Sequence, residues 1–195
     1  MSDPRSLPAA YFDGVYAAGD DPWNFETSDY EQAKYATTLA ALPAPRYANA
    51  FEVGCSIGVL TARLAARCDA LLAVDVSEKA LERARARCAD RPTVRVERLS
   101  FPEQRPAGDF DLIVLSEVAY YWSITDLRGA LDWCSERLRP SGALLLVHWT
   151  HPVHDYPLGG DEVHDEALAR TASRLQRAHA ERHSDYRLDV LVAPG

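Results

Sequence analysis

Short apolar runs alternate with longer amphipathic stretches between residues 48 and 149, and this alternation constrains the fold more than any other feature. Apolar runs of about five residues fit buried strands, and amphipathic stretches of roughly ten or more fit helices that cover a sheet. Such an order is typical of βαβ units, whose successive strands run parallel. The predicted core elements are strands at 48–53, 70–74, 93–98, 112–116 and 143–149 and helices at 58–67, 78–88 and 126–138.

Segments on both sides of this core extend the prediction. Before it, Ser28 and Glu31 have the spacing of a capping box, which opens a helix. After it, the pattern predicts a helix over 161–175 and closing strands over 177–183 and 186–192. We therefore expect an α/β, Rossmann-like sheet of seven strands with helices on both faces and an N-terminal helical arm. The strands are expected to be mostly parallel, with an antiparallel last strand.

Composition restricts the classes of partner and location. The chain has 195 residues and a formal net charge of −8, and such an acidic protein is repelled by nucleic-acid backbones and anionic membranes. We expect neither as a partner. No secretory signal and no apolar run of about 18 residues is present, so a cytoplasmic location is expected. The four cysteines lack metal-ligand spacing, so no metal is expected.

A loop with two glycines follows the first core strand. Residues 51–58 read FEVGCSIG, and Gly54 and Gly58 allow a sharp turn and a close approach of the backbone to a ligand. The carboxyl ends of strands in an open α/β sheet form the ligand crevice, so the loop is expected to lie there. Taken alone, the loop fits a tight strand-to-helix turn equally well.

A carboxylate at the end of the next strand makes an adenosine ligand the better interpretation. Asp75 lies 21 residues after Gly54, where an acid can accept both hydroxyls of a ribose, although an acid there can also serve as a loop or helix-cap residue. A dinucleotide loop requires G-x-G-x-x-G, whereas positions 54, 56 and 59 are Gly, Ser and Val. An NAD-dependent oxidoreductase is therefore disfavoured.

These motifs resemble those of class I S-adenosylmethionine-dependent methyltransferases. The pattern E-x-G-x-x-x-G over 52–58 resembles their motif I, and 110–117 resembles motif IV. DPWNF at 21–25 and SDYEQAKY at 28–35, with SEVAYY at 116–121, more specifically resemble the nodulation protein S family. That family is associated with N-methylation of a de-N-acetylated chitooligosaccharide, but many relatives lie outside nodulation, so the resemblance does not carry the acceptor with it.

The resemblance implies one methyltransferase domain with S-adenosyl-L-methionine as its cofactor. Residues 1–45 would form a capping arm and helix, 46–150 the cofactor-binding core, and 151–195 the acceptor-side loop, helix and closing strands. The family often has glycine at the position of Ser56 and an acid near Ser100, and this chain has neither. The implied cofactor-binding residues are Trp23, Tyr35, Glu52, Gly54, Cys55, Ser56, Gly58, Asp75, Val76, Leu99, Ser100, Phe101, Ser116 and Glu117.

The acceptor is expected to be a small molecule, an amine of an amino sugar or another polar metabolite. An attacking amine must be neutral, so a nearby base or an orienting acid would help. Candidates that follow the fourth and fifth strands are Glu117, His151, His154 and His164, although a structural role is open for each histidine. The alternatives are methyl transfer to oxygen and a non-catalytic module that binds an adenosine ligand.

Overall fold

The computed structural model describes residues 4–195, which contain a seven-stranded sheet in the order β3-β2-β1-β4-β5-β7-β6. The strands are β1 (Ala50–Val53), β2 (Leu71–Asp75), β3 (Val94–Arg98), β4 (Phe110–Ser116), β5 (Leu138–Trp149), β6 (Gln176–Arg182) and β7 (Tyr186–Val192). The helices are α1 (Ala9–Ala18), α2 (Asp29–Ala40), α3 (Val59–Leu64), α4 (Glu78–Arg87), α5 (Ile124–Arg137) and α6 (Gly160–Thr171). No helix within residues 4–195 is long and apolar enough to cross a membrane.

Strand directions confirm the predicted sheet. β1 pairs in parallel with β2 and β4, and β2–β3 and β4–β5 are parallel as well. β7 inserts between β5 and β6 and is antiparallel to both. β6 is one of the two edge strands, and its polar residues are mostly exposed, as suits an edge that must not pair with other chains.

Both faces of the sheet are covered, which explains why the central strands are apolar throughout. Along β4, Ile113 and Leu115 belong to the core on one face, and Leu112 and Val114 belong to the core on the other. Strands buried on both faces need this continuous apolar sequence. The carboxyl ends of the strands are therefore the part of the sheet that is available to a ligand.

The N-terminal region contains one predicted helix and one that the sequence did not predict. The hydroxyl of Ser28 accepts a hydrogen bond from the Glu31 amide and caps α2, as expected. α1 was not predicted, because its apolar residues do not form a clear stripe and only Tyr16 is buried. The Leu7 amide donates to the Tyr121 carbonyl at 2.8 Å, which ties the segment before α1 to the segment after β4.

Candidate functional site

A cavity of about 690 Å³ opens at the carboxyl ends of β1, β2 and β4. Residues of α1, α2 and the loop between them also line it, so the N-terminal segment forms one of its walls. Of the 14 predicted cofactor-binding residues, the structure brings 13 to this cavity; Gly58 is the exception. Their contact with a cofactor stays a prediction.

The two loop glycines have different roles. Both have a left-handed backbone, with φ of 73° at Gly54 and 78° at Gly58. A Cβ atom on Gly54 would lie 2.9 Å from Val118 Cγ2, in the segment after β4. A Cβ atom on Gly58 would lie 2.9 Å from Ala84 Cα, in α4. Gly54 therefore lets the cavity loop pass close to Val118, whereas Gly58 allows the turn to pack against α4 behind the cavity.

Asp75 joins the loop after β1 to the end of β2. Its Oδ2 accepts a hydrogen bond from the Ser56 amide at 2.9 Å, and its Oδ1 accepts one from the Ser77 amide at 3.0 Å. Burial raises the pKa of Asp75, and the amide donors of Ser77 and Ser56 offset part of that rise. A carboxylate has about four acceptor positions, so Asp75 keeps capacity for hydroxyl donors in the cavity.

Glu52 is a buried acid without a cation beside it. Its relative exposure is 2%, and its Oε2 has no hydrogen-bond partner among residues 4–195. Burial raises the pKa of Glu52 to about 8, because the charged form loses its hydration. Since Glu52 lines the cavity and burial disfavours its charged form, a cationic group of a ligand nearby would stabilise that charged form.

Lys34 provides a cation on the α2 side of the cavity. Its Nζ donates to Glu31 Oε1 at 2.9 Å and to Glu117 Oε1 at 2.7 Å, and its relative exposure is 3%. Burial alone would lower the pKa of Lys34, but the two carboxylates outweigh burial and raise it. This ion-pair group, Glu31, Lys34 and Glu117, connects α2 to the end of β4.

Glu117 is held from three directions. In addition to the Lys34 contact, its Oε2 accepts hydrogen bonds from the Tyr120 hydroxyl at 2.6 Å and the Trp149 amide at 2.9 Å. Its backbone is left-handed, with φ of 54°. Both carboxylate oxygens are thus engaged, so Glu117 is better suited to orienting its neighbours than to taking a proton.

The three predicted catalytic histidines do not line the cavity. His164 is buried between His148 and Asp189. His151 is exposed and contacts Asp185, and His154 is exposed beside Asp155. Residues 151–155 are all exposed, and the two imidazoles have Asp185 and Asp155 as their partners instead of Glu117. We therefore leave these histidines out of the acceptor site.

Aromatic residues that the sequence did not single out complete the cavity wall. Phe12, Tyr30, Trp149 and Tyr156 all line it. Trp149 could have been found, because it is the last residue of β5 and so lies at the same edge of the sheet as Glu117. Phe12 could not, because α1 was not predicted.

Comparison with known proteins identifies the family. The family model described as Nodulation protein S (NodS) matches residues 16–153. The chain belongs to the nodulation protein S family. Nodulation protein S of Bradyrhizobium diazoefficiens is 37% identical over 135 residues, covering 66% of this chain and 62% of that protein. The Rhizobium tropici protein is 36% identical over 131 residues, covering 66% of this chain but only 55% of its own length. This family member therefore spans less than two thirds of its curated relatives.

Solved structures agree on the fold. A presumed methyltransferase from Pseudomonas syringae is 44% identical with a TM-score of 0.73, covering 84% of this chain and 98% of that chain. N-methyltransferase NodS from Bradyrhizobium japonicum WM9, solved with S-adenosyl-L-homocysteine, has a TM-score of 0.81 at 23% identity and covers 96% and 99%. The predicted class I methyltransferase fold is confirmed.

Replacing Lys34 by Met should destabilise the protein by about 3–5 kcal/mol, because it leaves the buried Glu31 and the partly buried Glu117 without their cation. Urea unfolding followed by circular dichroism measures this change. The matched control is Arg46→Met, which breaks the exposed pair with Asp69 and should cost less than about 1 kcal/mol. Equal losses in the two variants would contradict a special role for Lys34.

Proposed function

We propose that the chain binds S-adenosyl-L-methionine and transfers its methyl group to a nitrogen of a small polar acceptor, such as an amino sugar. The observation that carries this proposal is the pair of acids on the β1–β2 side of the cavity. Asp75 has acceptor capacity left for ribose hydroxyls, and Glu52 is an acid of the cavity lining whose charged form the cationic amino group of the methionine part would stabilise. A dinucleotide carries phosphates there and offers Glu52 no cationic group.

When bound, the cofactor supplies a methyl group that is already activated on a sulfonium. The protein then needs to align an acceptor lone pair with that methyl group, and alignment can contribute roughly 7–11 kcal/mol in well-oriented cases. Aromatic walls suit this task because they are rigid and exclude water. Tyr120 and Tyr156 stack with ring centroids 4.9 Å apart, and Tyr121 packs edge-on to both.

Polar side chains support a polar acceptor on the ion-pair side of the cavity. Tyr30 and Glu31 both line the cavity next to Lys34, whose Nζ lies 5.1 Å from the centre of the Tyr30 ring and donates to Glu31. An acceptor with hydroxyl or amine groups suits such a polar lining better than an apolar one. Glu117 accepts a hydrogen bond from the Tyr120 hydroxyl and so orients that side chain, and the name of NodS from Bradyrhizobium japonicum as an N-methyltransferase favours nitrogen as the methylated atom.

Calorimetry should show binding of S-adenosylmethionine and S-adenosylhomocysteine but not of NAD. In Asp75→Ala, binding of either nucleoside should weaken by roughly 1–3 kcal/mol, because the charge-assisted hydrogen bonds to the ribose are lost. Asp75→Asn should lose less, since its amide oxygen still accepts. Full affinity in a folded Asp75→Ala variant, or binding of NAD alone, would overturn the assignment of the cofactor.

Mass spectrometry can test the acceptor class with S-adenosylmethionine that carries a deuterated methyl group. A de-N-acetylated chitooligosaccharide should gain the label, and the fully N-acetylated oligosaccharide is the matched control. The rate should rise with pH and then level off once the neutral amine predominates. Labelling of the acetylated control would indicate transfer to oxygen, and labelling of neither would place the acceptor outside amino sugars.

A further inference from the structure

A buried chain of hydrogen bonds lies directly behind the aromatic wall of the cavity. Asp189 Oδ2 lies 2.7 Å from His164 Nδ1, and His164 Nε2 lies 3.1 Å from His148 Nδ1. His148 Nε2 in turn accepts the amide hydrogen of Ala119 at 3.2 Å. All four residues have a relative exposure of 0%. Among the described residues, this chain links α6, β7 and β5 to the segment after β4.

The amide at the end of the chain determines where the protons are. Ala119 can only donate, so His148 Nε2 must be unprotonated and a neutral His148 carries its proton on Nδ1. That proton is donated to His164 Nε2, so His164 carries its own proton on Nδ1 and donates it to Asp189. Protonating either ring would place two donors face to face, so the chain is complete only when both histidines are neutral.

The surroundings of the hydrogen-bonded chain favour the neutral state of both histidines. Burial lowers the pKa of His148 well below its ordinary value, and the charges of His164 and Lys34 add to the effect. Burial also lowers the pKa of His164, although Asp189 offsets part of this. Asp189 is itself held by Arg187 at 2.9 Å, and Arg177 approaches it to 3.8 Å. Burial would raise the pKa of Asp189, but His164 and Arg187 reverse that effect and lower it.

The segment that His148 holds carries the proposed acceptor wall. Ala119 begins the short 3-10 turn Ala119–Tyr121, and the side chains of Tyr120 and Tyr121 line the cavity. The Tyr120 ring also packs edge-on against His148, with centroids 5.3 Å apart. His148 therefore fixes both the backbone of this turn and one of its rings, although His148 does not line the cavity itself.

We propose that His148 and His164 are positioning residues that hold the turn Ala119–Tyr121 for the acceptor, an inference that rests on the proposed function. They do not act as a proton relay, because the chain ends on an amide hydrogen and an amide nitrogen does not take up a proton. Their effect on the reaction passes through Ala119 and Tyr120.

Two substitutions of His148 separate this role from simple packing. In His148→Gln, the carbonyl oxygen reaches the place of Nε2 and can still accept from Ala119. In His148→Asn, the shorter side chain reaches only the place of Nδ1, so it can contact His164 but not Ala119. Thr171→Val is the matched control, because it removes another buried hydrogen bond, to the Ala167 carbonyl, away from the turn.

The experiment combines nitrogen NMR of the histidine rings, hydrogen exchange of the Ala119 amide and turnover. In the wild type, both rings should be neutral with the proton on Nδ1. Exchange of the Ala119 amide should be roughly five- to tenfold faster in His148→Asn than in the wild type, the effect of one lost hydrogen bond. In His148→Gln and Thr171→Val it should keep the wild-type rate. With the de-N-acetylated chitooligosaccharide, kcat should fall in His148→Asn and stay near the wild-type value in His148→Gln and Thr171→Val. Affinity for S-adenosylhomocysteine should be the same in all variants.

Three results would overturn the positioning role: a proton on Nε2 of either ring, equal Ala119 exchange in all variants, or equal kcat in His148→Asn and His148→Gln. Failure of the wild type to methylate the oligosaccharide would count against the proposed acceptor instead. In that case the ring protons and the Ala119 exchange still decide whether the chain holds the turn.

Discussion

The ion-pair group of Glu31, Lys34 and Glu117 is the interaction on which the cavity depends. A lysine that is 3% exposed is stable only when its charge is matched, and here two carboxylates match it from different elements. Because Lys34 is on α2 and Glu117 follows β4, the N-terminal segment must pack over the ends of the strands for the charges to meet. The Tyr120 hydroxyl and the Trp149 amide then bind the same Glu117 carboxylate, so one ion pair orders several cavity residues at once.

The acids on the two sides of the cavity differ in their hydrogen-bond and ion-pair partners. This difference indicates on which side each end of a ligand binds. On the α2 side, Glu117 has a lysine and two further donors. On the β1 side, Glu52 has an oxygen with no partner and a pKa raised to about 8. A cationic group of a ligand therefore gains more beside Glu52 than beside Glu117. This asymmetry supports placing the amino-acid end of the cofactor near Glu52 and the acceptor between the aromatic wall and α2.

Features with a local sequence signal could be predicted, and features set by tertiary packing could not. The apolar strands could be predicted from the alternation of apolar and amphipathic stretches. Gly54 and Asp75 could be found because the loop lies directly after one strand and the carboxylate lies at the end of the next. Histidines are different, since spacing does not show which way a side chain faces. His164 seemed equivalent to His151, yet it lies inside the protein and contacts Asp189 on β7, 25 residues away. α1 escaped prediction because its apolar residues form no clear stripe and its place is set by a contact with a distant segment, that of Tyr16 with Ser56.

Proton release on ligand binding tests the central claim most directly, because the claim places a cation beside Glu52. At about pH 7 an acid whose pKa is about 8 is mostly protonated, and a bound cation lowers that pKa, so binding must expel a proton. Titration of S-adenosylhomocysteine in buffers of different ionisation enthalpy measures this release. The account predicts that protons are released by the wild type and not by Glu52→Gln. Binding with no proton release in the wild type, or with proton uptake, would contradict it.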